Sequence, residues 1–202
     1  MVDINHHEGG RGVLKALRRL LRAVDRVTAA MAYVGGALFL LVSFYMTADV
    51  IGRRIRISSA VTDEMGGYVL AIGGMWALAH TLRTGAHVRI DILLPYLPRL
   101  LRSVLDYVAV MVMALFASAI AASTWRLAIE SFTTDARAMS FLRTPLFVPQ
   151  GLTALGFTAL VVEAVVMLAV GVGESVRIGR LAPLEGVEAP RLSERTAPAS
   201  PS

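Results

Sequence analysis

Polar and apolar residues are unevenly distributed along this chain, and four long stretches carry no charged residue. They run from Thr28 to Ala48, Met65 to Leu82, Tyr107 to Trp125 and Thr144 to Val162. The last stays apolar beyond Glu163 as far as Gly173. A helix needs roughly 20 mostly apolar residues to cross the ~30 Å hydrocarbon core of a bilayer, and these runs contain 21, 18, 19 and 19. None shows the period-two alternation of a barrel strand, and in hydrocarbon only helices and closed barrels satisfy their own backbone. The pattern predicts an all-α integral membrane protein with four transmembrane helices, over about 27–51, 62–82, 104–125 and 147–172. Extending the second run toward Val61 puts Asp63 and Glu64 in its first turn.

The segment before the first run has a different period. Val13, Leu14, Leu17, Leu20, Leu21 and Val24 fall on one helical face, and Lys15, Arg18, Arg19, Arg22 and Arg26 on the other. This predicts an N-terminal interfacial amphipathic helix within residues 1–26, lying flat with its arginines toward lipid headgroups. A cytoplasmic helix that binds protein is the alternative. After the membrane domain (27–175), the segment 176–202 holds Pro183, Pro190, Pro198 and Pro201 among Ala, Ser and Glu, and reads as a disordered tail. No internal repeat is visible.

Composition agrees with the membrane reading. Charged residues make up 17% and hydrophobic ones 55%, with a mean hydropathy of +0.62, whereas soluble domains carry about a quarter charged residues. The formal net charge is +5, and 19 of the 20 basic residues are arginine. Because they flank the apolar runs, they point to an anionic membrane surface and not to nucleic acid. Fourteen lie on the side of the chain ends and the 83–103 loop, against six on the other side. The excess places both termini in the cytoplasm. Arg53, Arg54 and Arg56 then lie outside, near Asp49, Asp63 and Glu64.

Candidate chemistry is sparse. The absence of cysteine excludes disulfides, zinc–thiolate sites and cysteine nucleophiles. In or near the spans stand Asp49, His80, Asp106 and Glu163, and only Glu163 is deep. A lone glutamate is a poor basis for catalysis, so no enzyme is expected; Glu163 reads as a contact to a neighbouring helix or subunit, with an ion or proton site as the alternative. His80 and His87 follow the same span and His6 and His7 lie in the polar N-terminus, so opposed haem ligands are not available and no cofactor or metal is expected. A carrier built on duplicated halves and broken helices is not indicated, since Pro149, at a first turn, is the one proline inside a span.

Packing signals are plainer. Gly67, Ala71 and Gly74 share one face of the second span, and Gly66 and Gly73 repeat that pattern one residue earlier. Ala114, Ser118 and Ala122 stand at steps of four in the third. Such stripes let helix backbones approach closely, either between spans two and three or against another protein.

The most specific stretch is Thr62–Asp91. Thr-Asp-Glu opens it, the second span follows, and Arg83-Thr-Gly-Ala-His87-Val-Arg89-Ile-Asp91 closes it. With Glu64 at an acidic position and Gly85, His87, Arg89 and Asp91 in register, it resembles the small, DctQ-type membrane subunit of tripartite ATP-independent periplasmic (TRAP) transporters. The stretch Thr144-Pro-Leu-Phe-Val-Pro-Gln150 resembles the proline-containing start of that family's fourth span. The resemblance covers roughly residues 25–175. It implies a large membrane subunit and a periplasmic solute-binding protein as partners, and sodium-coupled uptake of an organic acid or similar solute. It also implies that this subunit supports the transport scaffold and holds no substrate or sodium site. Gly85, His87, Arg89 and Asp91 would then shape the turn after span two: Gly85 ends the helix, and Arg89 and Asp91 pair. Arg126, Glu130, Asp135, Arg137 and Arg143 are candidates for meeting the binding protein. The alternative is a small membrane anchor of another complex, such as a respiratory enzyme.

Overall fold

A computed structural model describes residues 4–53, 61–83, 98–140, 142–178, 181 and 184. Four helices account for nearly all of them: α1 (Ile4–Arg53), α2 (Thr62–Arg83), α3 (Arg99–Thr133) and α4 (Phe147–Ile178). Each is long and apolar enough to cross a membrane, and among the described residues the one β feature is an isolated Arg137–Pro145 bridge.

The start of the chain departs from expectation. There is no separate helix lying in the interface; residues 4–53 form one continuous helix of 50 residues. At about 1.5 Å per residue it is roughly 75 Å long. The sequence gives it no reason to break, because it contains no proline and has no glycine between Gly12 and Gly35. The amphipathic face is used, but against protein. Leu21 is 1% exposed within the core, with Leu17 packed beside it. Leu14 meets Gly173 near the end of α4, and Arg18 pairs with Glu174. Val13 and Leu20 remain exposed.

These contacts run α1 antiparallel to α4, with the starting end of α1 beside the final turns of α4. Helix α4 is the hub. It packs against α3, α2 and α1, while α1 also packs against α2. The core follows from this layout, with Ala164, Met167 and Val170 of α4 among Ala79 and Leu82 of α2 and Val110, Ala114 and Ala117 of α3. Leu184 is also buried at 1% exposure; beyond residue 178 only it and Leu181 are described, and the rest of the segment lies outside the described residues.

The small residues do not join α2 to α3, which are not packed on one another. The Gly73 row faces α1: a Cβ at Gly35 would stand 3.0 Å from the Gly73 Cα. Gly66 of the same row faces Met46. The other row, Gly67, Ala71 and Gly74, is exposed, with open space beside both glycines. On α3, Ala114 is buried, Ser118 is half-buried and bonds back to the Leu115 carbonyl at 2.7 Å, and Ala122 is exposed. The buried row there is Val110, Ala114, Ala117 and Ala121. The α2–α4 crossing rests on Gly156, where a Cβ would lie 2.8 Å from the Met75 Cβ and 3.0 Å from its carbonyl carbon.

Candidate functional site

Polar side chains gather at two levels of the bundle. The first is the end where α2 begins and α3 turns into α4. Thr133 and Thr134 bond back to the Glu130 carbonyl and end α3. The chain then reverses through a short hairpin, with Ala138 N–H donating to the Thr144 carbonyl at 2.9 Å and Leu146 N–H to the Ala136 carbonyl at 3.0 Å. Phe132 and Phe147 close its base edge to face, 5.2 Å apart. Asp135 and Arg143 hold left-handed backbone, with φ of 47° and 46°. Aspartate tolerates that region, whereas arginine persists there only where the surroundings fix it.

Glu64 lies close to this hairpin. It stands in the first turn of α2 and accepts a 2.7 Å bond from the Tyr68 hydroxyl, one turn on. The Ser140 and Thr144 hydroxyls of the hairpin interact with the same carboxylate. Neither these hydroxyls nor the buried second oxygen of Glu64 completes a hydrogen bond of good geometry. The result is a cluster of polar groups, a seam, where the hairpin meets the start of α2. Close by in the chain, Arg53 binds Asp49 at 3.0 Å across one helical turn. Arg54 and Arg56 lie outside the described residues. Arg137 pairs with Asp135 at 3.3 Å on the exposed rim.

The second level lies toward the chain ends. Glu163 is fully buried on α4, and the Thr28 hydroxyl of α1 reaches it at 3.5 Å while also meeting the Asp25 carbonyl at 3.2 Å. Its role as a contact to a neighbouring helix is therefore visible. About three turns further along α4, Tyr107 and Ser175 share a 3.2 Å bond between α3 and α4. Trp76 donates to the Leu152 carbonyl at 2.9 Å, and Trp125 to Thr158 at 3.0 Å. His80 is half-buried on α2 and engaged.

Gly85, His87, Arg89 and Asp91 lie outside the described residues, as does the 93–97 segment after them. Among the described residues no three His, Cys, Asp or Glu side chains are grouped to hold a metal ion. Glu174, Asp49 and Asp135 pair with arginines, and Glu64 and Glu163 meet hydroxyls. That is chemistry for holding helices and a loop in place.

Sequence reasoning missed the seam between Glu64 and the hairpin, and the contacts of Thr28 and Trp76. Thr28 had a weak signal, since it begins the first charge-free run next to the basic segment. The seam had none, because its partners are more than seventy residues apart.

The family model described as tripartite ATP-independent periplasmic transporters, DctQ component, matches residues 42–173. That stretch takes in the last quarter of α1, all of α2 and α3, and most of α4. No curated protein and no solved structure matches the chain.

Proposed function

Because the chain belongs to the DctQ family, the small permease component of TRAP transporters, we propose that it braces the large membrane subunit and helps seat a periplasmic solute-binding protein during sodium-coupled uptake of an organic acid or similar solute. Membership makes it a transporter component and not an enzyme of that membrane. Both termini lie in the cytoplasm in this reading, as the arginine bias favours, so the Glu64 seam and the 134–146 hairpin face the periplasm.

The observation that carries the bracing role is the uneven use of apolar surface. Only 11% of the most apolar stretch of α1 is buried inside the chain, against 44% for α4. A hub helix with three neighbours gives the subunit its rigidity, and the outer faces of α1, α2 and α3 are left to lipid and to a partner. On α2 that outer face carries Gly67, Ala71 and Gly74, which would let a partner helix approach closely. The polar groups in the spans are committed to internal contacts, in keeping with a subunit that supports transport without carrying the solute.

The test is co-purification in mild detergent followed by reconstitution. The large subunit is expected to come out with this chain in fixed proportion. Uptake into proteoliposomes should need a sodium gradient and added binding protein. Reversing charge at Arg137 and Arg143 together should weaken binding-protein stimulation several-fold and leave the complex intact. Recovery of the chain alone or with redox subunits would overturn the reading, and unchanged stimulation would remove the hairpin from it.

A further inference from the structure

Between α1 and α4 runs an open groove of about 550 Å³, with Trp76 of α2 at its base. Its size falls in the range of roughly 300–1,000 Å³ typical of small-molecule sites, but its chemistry is unusual for one. Val24, Val27 and Met31 line one side, and Leu155, Ala159 and Val162 the other. Three polar groups reach the lining and all are engaged elsewhere. The Trp76 indole N–H donates to the Leu152 carbonyl. The Thr28 hydroxyl is held by the Asp25 carbonyl and Glu163. The Thr158 hydroxyl donates to the Ala154 carbonyl at 2.8 Å and accepts from Trp125. A polar solute would find no free donor or acceptor on these walls, whereas a hydrocarbon chain needs none.

The charge at one end of the groove is equally one-sided. Arg19, Ala23, Val27 and Met31 stand at steps of four on α1, so they form one ridge. Arg19 therefore continues the groove wall toward the chain ends, and side chains on a helix lean toward its N-terminus. Arg22 and Arg26 lie beyond that ridge, on the face of α1 turned away from the groove, and all three arginines are exposed. Asp25, half-buried, is the carboxylate among them. The first charge-free run begins at Thr28, so the groove straddles the level where hydrocarbon gives way to headgroups.

We propose that this groove is a binding site for one anionic phospholipid of the leaflet on the side of the chain ends, with an acyl chain along Val27, Met31 and Trp76, its phosphate at Arg19, and Arg22 and Arg26 adding positive potential from behind. The site needs only that the helices lie in a bilayer, and stands apart from the transport role. The lipid would fill the space between α1 and α4 that the two helices leave at this level, and so help hold α1 to the hub.

The chain has two tryptophans, which makes the test direct. The full chain carrying Trp125→Phe keeps Trp76 as its sole indole. It is reconstituted in phosphatidylcholine vesicles containing either phosphatidylglycerol or phosphatidylcholine brominated in the acyl chains, at equal mole fraction. Quenching of Trp76 should be roughly twofold stronger with the anionic lipid, reflecting its enrichment beside basic residues. Arg19→Gln, Arg22→Gln and Arg26→Gln together should bring the two lipids to equal quenching. If that triple variant fails to insert, Arg19→Gln alone should reduce the difference. Trp76→Phe, which leaves Trp125 as the reporter, should show no preference. Equal quenching by both lipids in the unaltered groove would overturn the site. So would the absence of quenching, which would mean that protein and not lipid fills the groove.

Discussion

Glu64 accepts a hydrogen bond from Tyr68 on its own helix and stands near two hydroxyls on a hairpin more than seventy residues away. Carboxylates at membrane helices are costly unless their surroundings satisfy them. Glu64→Ala removes the acceptor for Tyr68 and leaves Ser140 and Thr144 facing nothing. It should destabilise the complex by about 1–3 kcal/mol, while Tyr68→Phe should cost about 0.5–1.5 kcal/mol. Thermal unfolding of the purified complex measures both, and the double variant should lose less than the sum because the two share one bond. Glu163 invites a sharper experiment. Glu163→Gln keeps the side-chain shape and an acceptor oxygen for Thr28, so stability should stay within about 1 kcal/mol and uptake should persist. An intact complex that no longer transports would make Glu163 an ion or proton site.

Helix α1 shows where sequence pattern stops being informative. Apolar residues on one face and arginines on the other describe a helix on a bilayer surface equally well as one packed on a neighbour. The moment of the pattern does not say what covers the apolar face; the last turns of α4 do, more than 140 residues later. The four spans were legible because crossing hydrocarbon imposes a length and a composition on each helix separately. The glycine rows were only half legible. Positions 66 and 73 and positions 67 and 74 have the same spacing, and one residue of rotation decides which row meets α1.

Both points can be checked. The chain contains no cysteine, so Leu14→Cys with Gly173→Cys should form a disulfide on mild oxidation, seen as a shifted band on a non-reducing gel. A surface-lying N-terminal helix would leave the pair uncoupled. Gly156→Val drives methyl groups into the Met75 backbone and should cost about 1–3 kcal/mol of unfolding stability. Gly74→Ala, with open space around it, should stay within about 0.5 kcal/mol.

For the molecule as a whole, the arrangement about α4 leaves much apolar surface outward, which a free-standing soluble protein would not tolerate. The family membership explains why a chain with few titratable groups in its spans is still informative: its chemistry consists of places to be touched. The Glu64 acidic position and the four-span layout were readable from the sequence. The turn carrying Gly85, His87, Arg89 and Asp91 was readable only as a resemblance, because loop residues answer to neighbours that a linear pattern does not contain.

The hub position of α4 bears on how the chain is made. Helix α4 is the last of the four to be synthesised, yet α3 packs chiefly on it and the first half of α1 needs it to bury Leu21 and Thr28. Until it leaves the ribosome, α1 and α2 can pair through Gly35 and Gly73, but α3 has no place to rest and the basic start of the chain has no anchor. Nascent chains halted before residue 147 would therefore present a loose helix and uncovered leucines to the membrane's proteases. Completion of the fourth helix is the step that closes the protein against degradation.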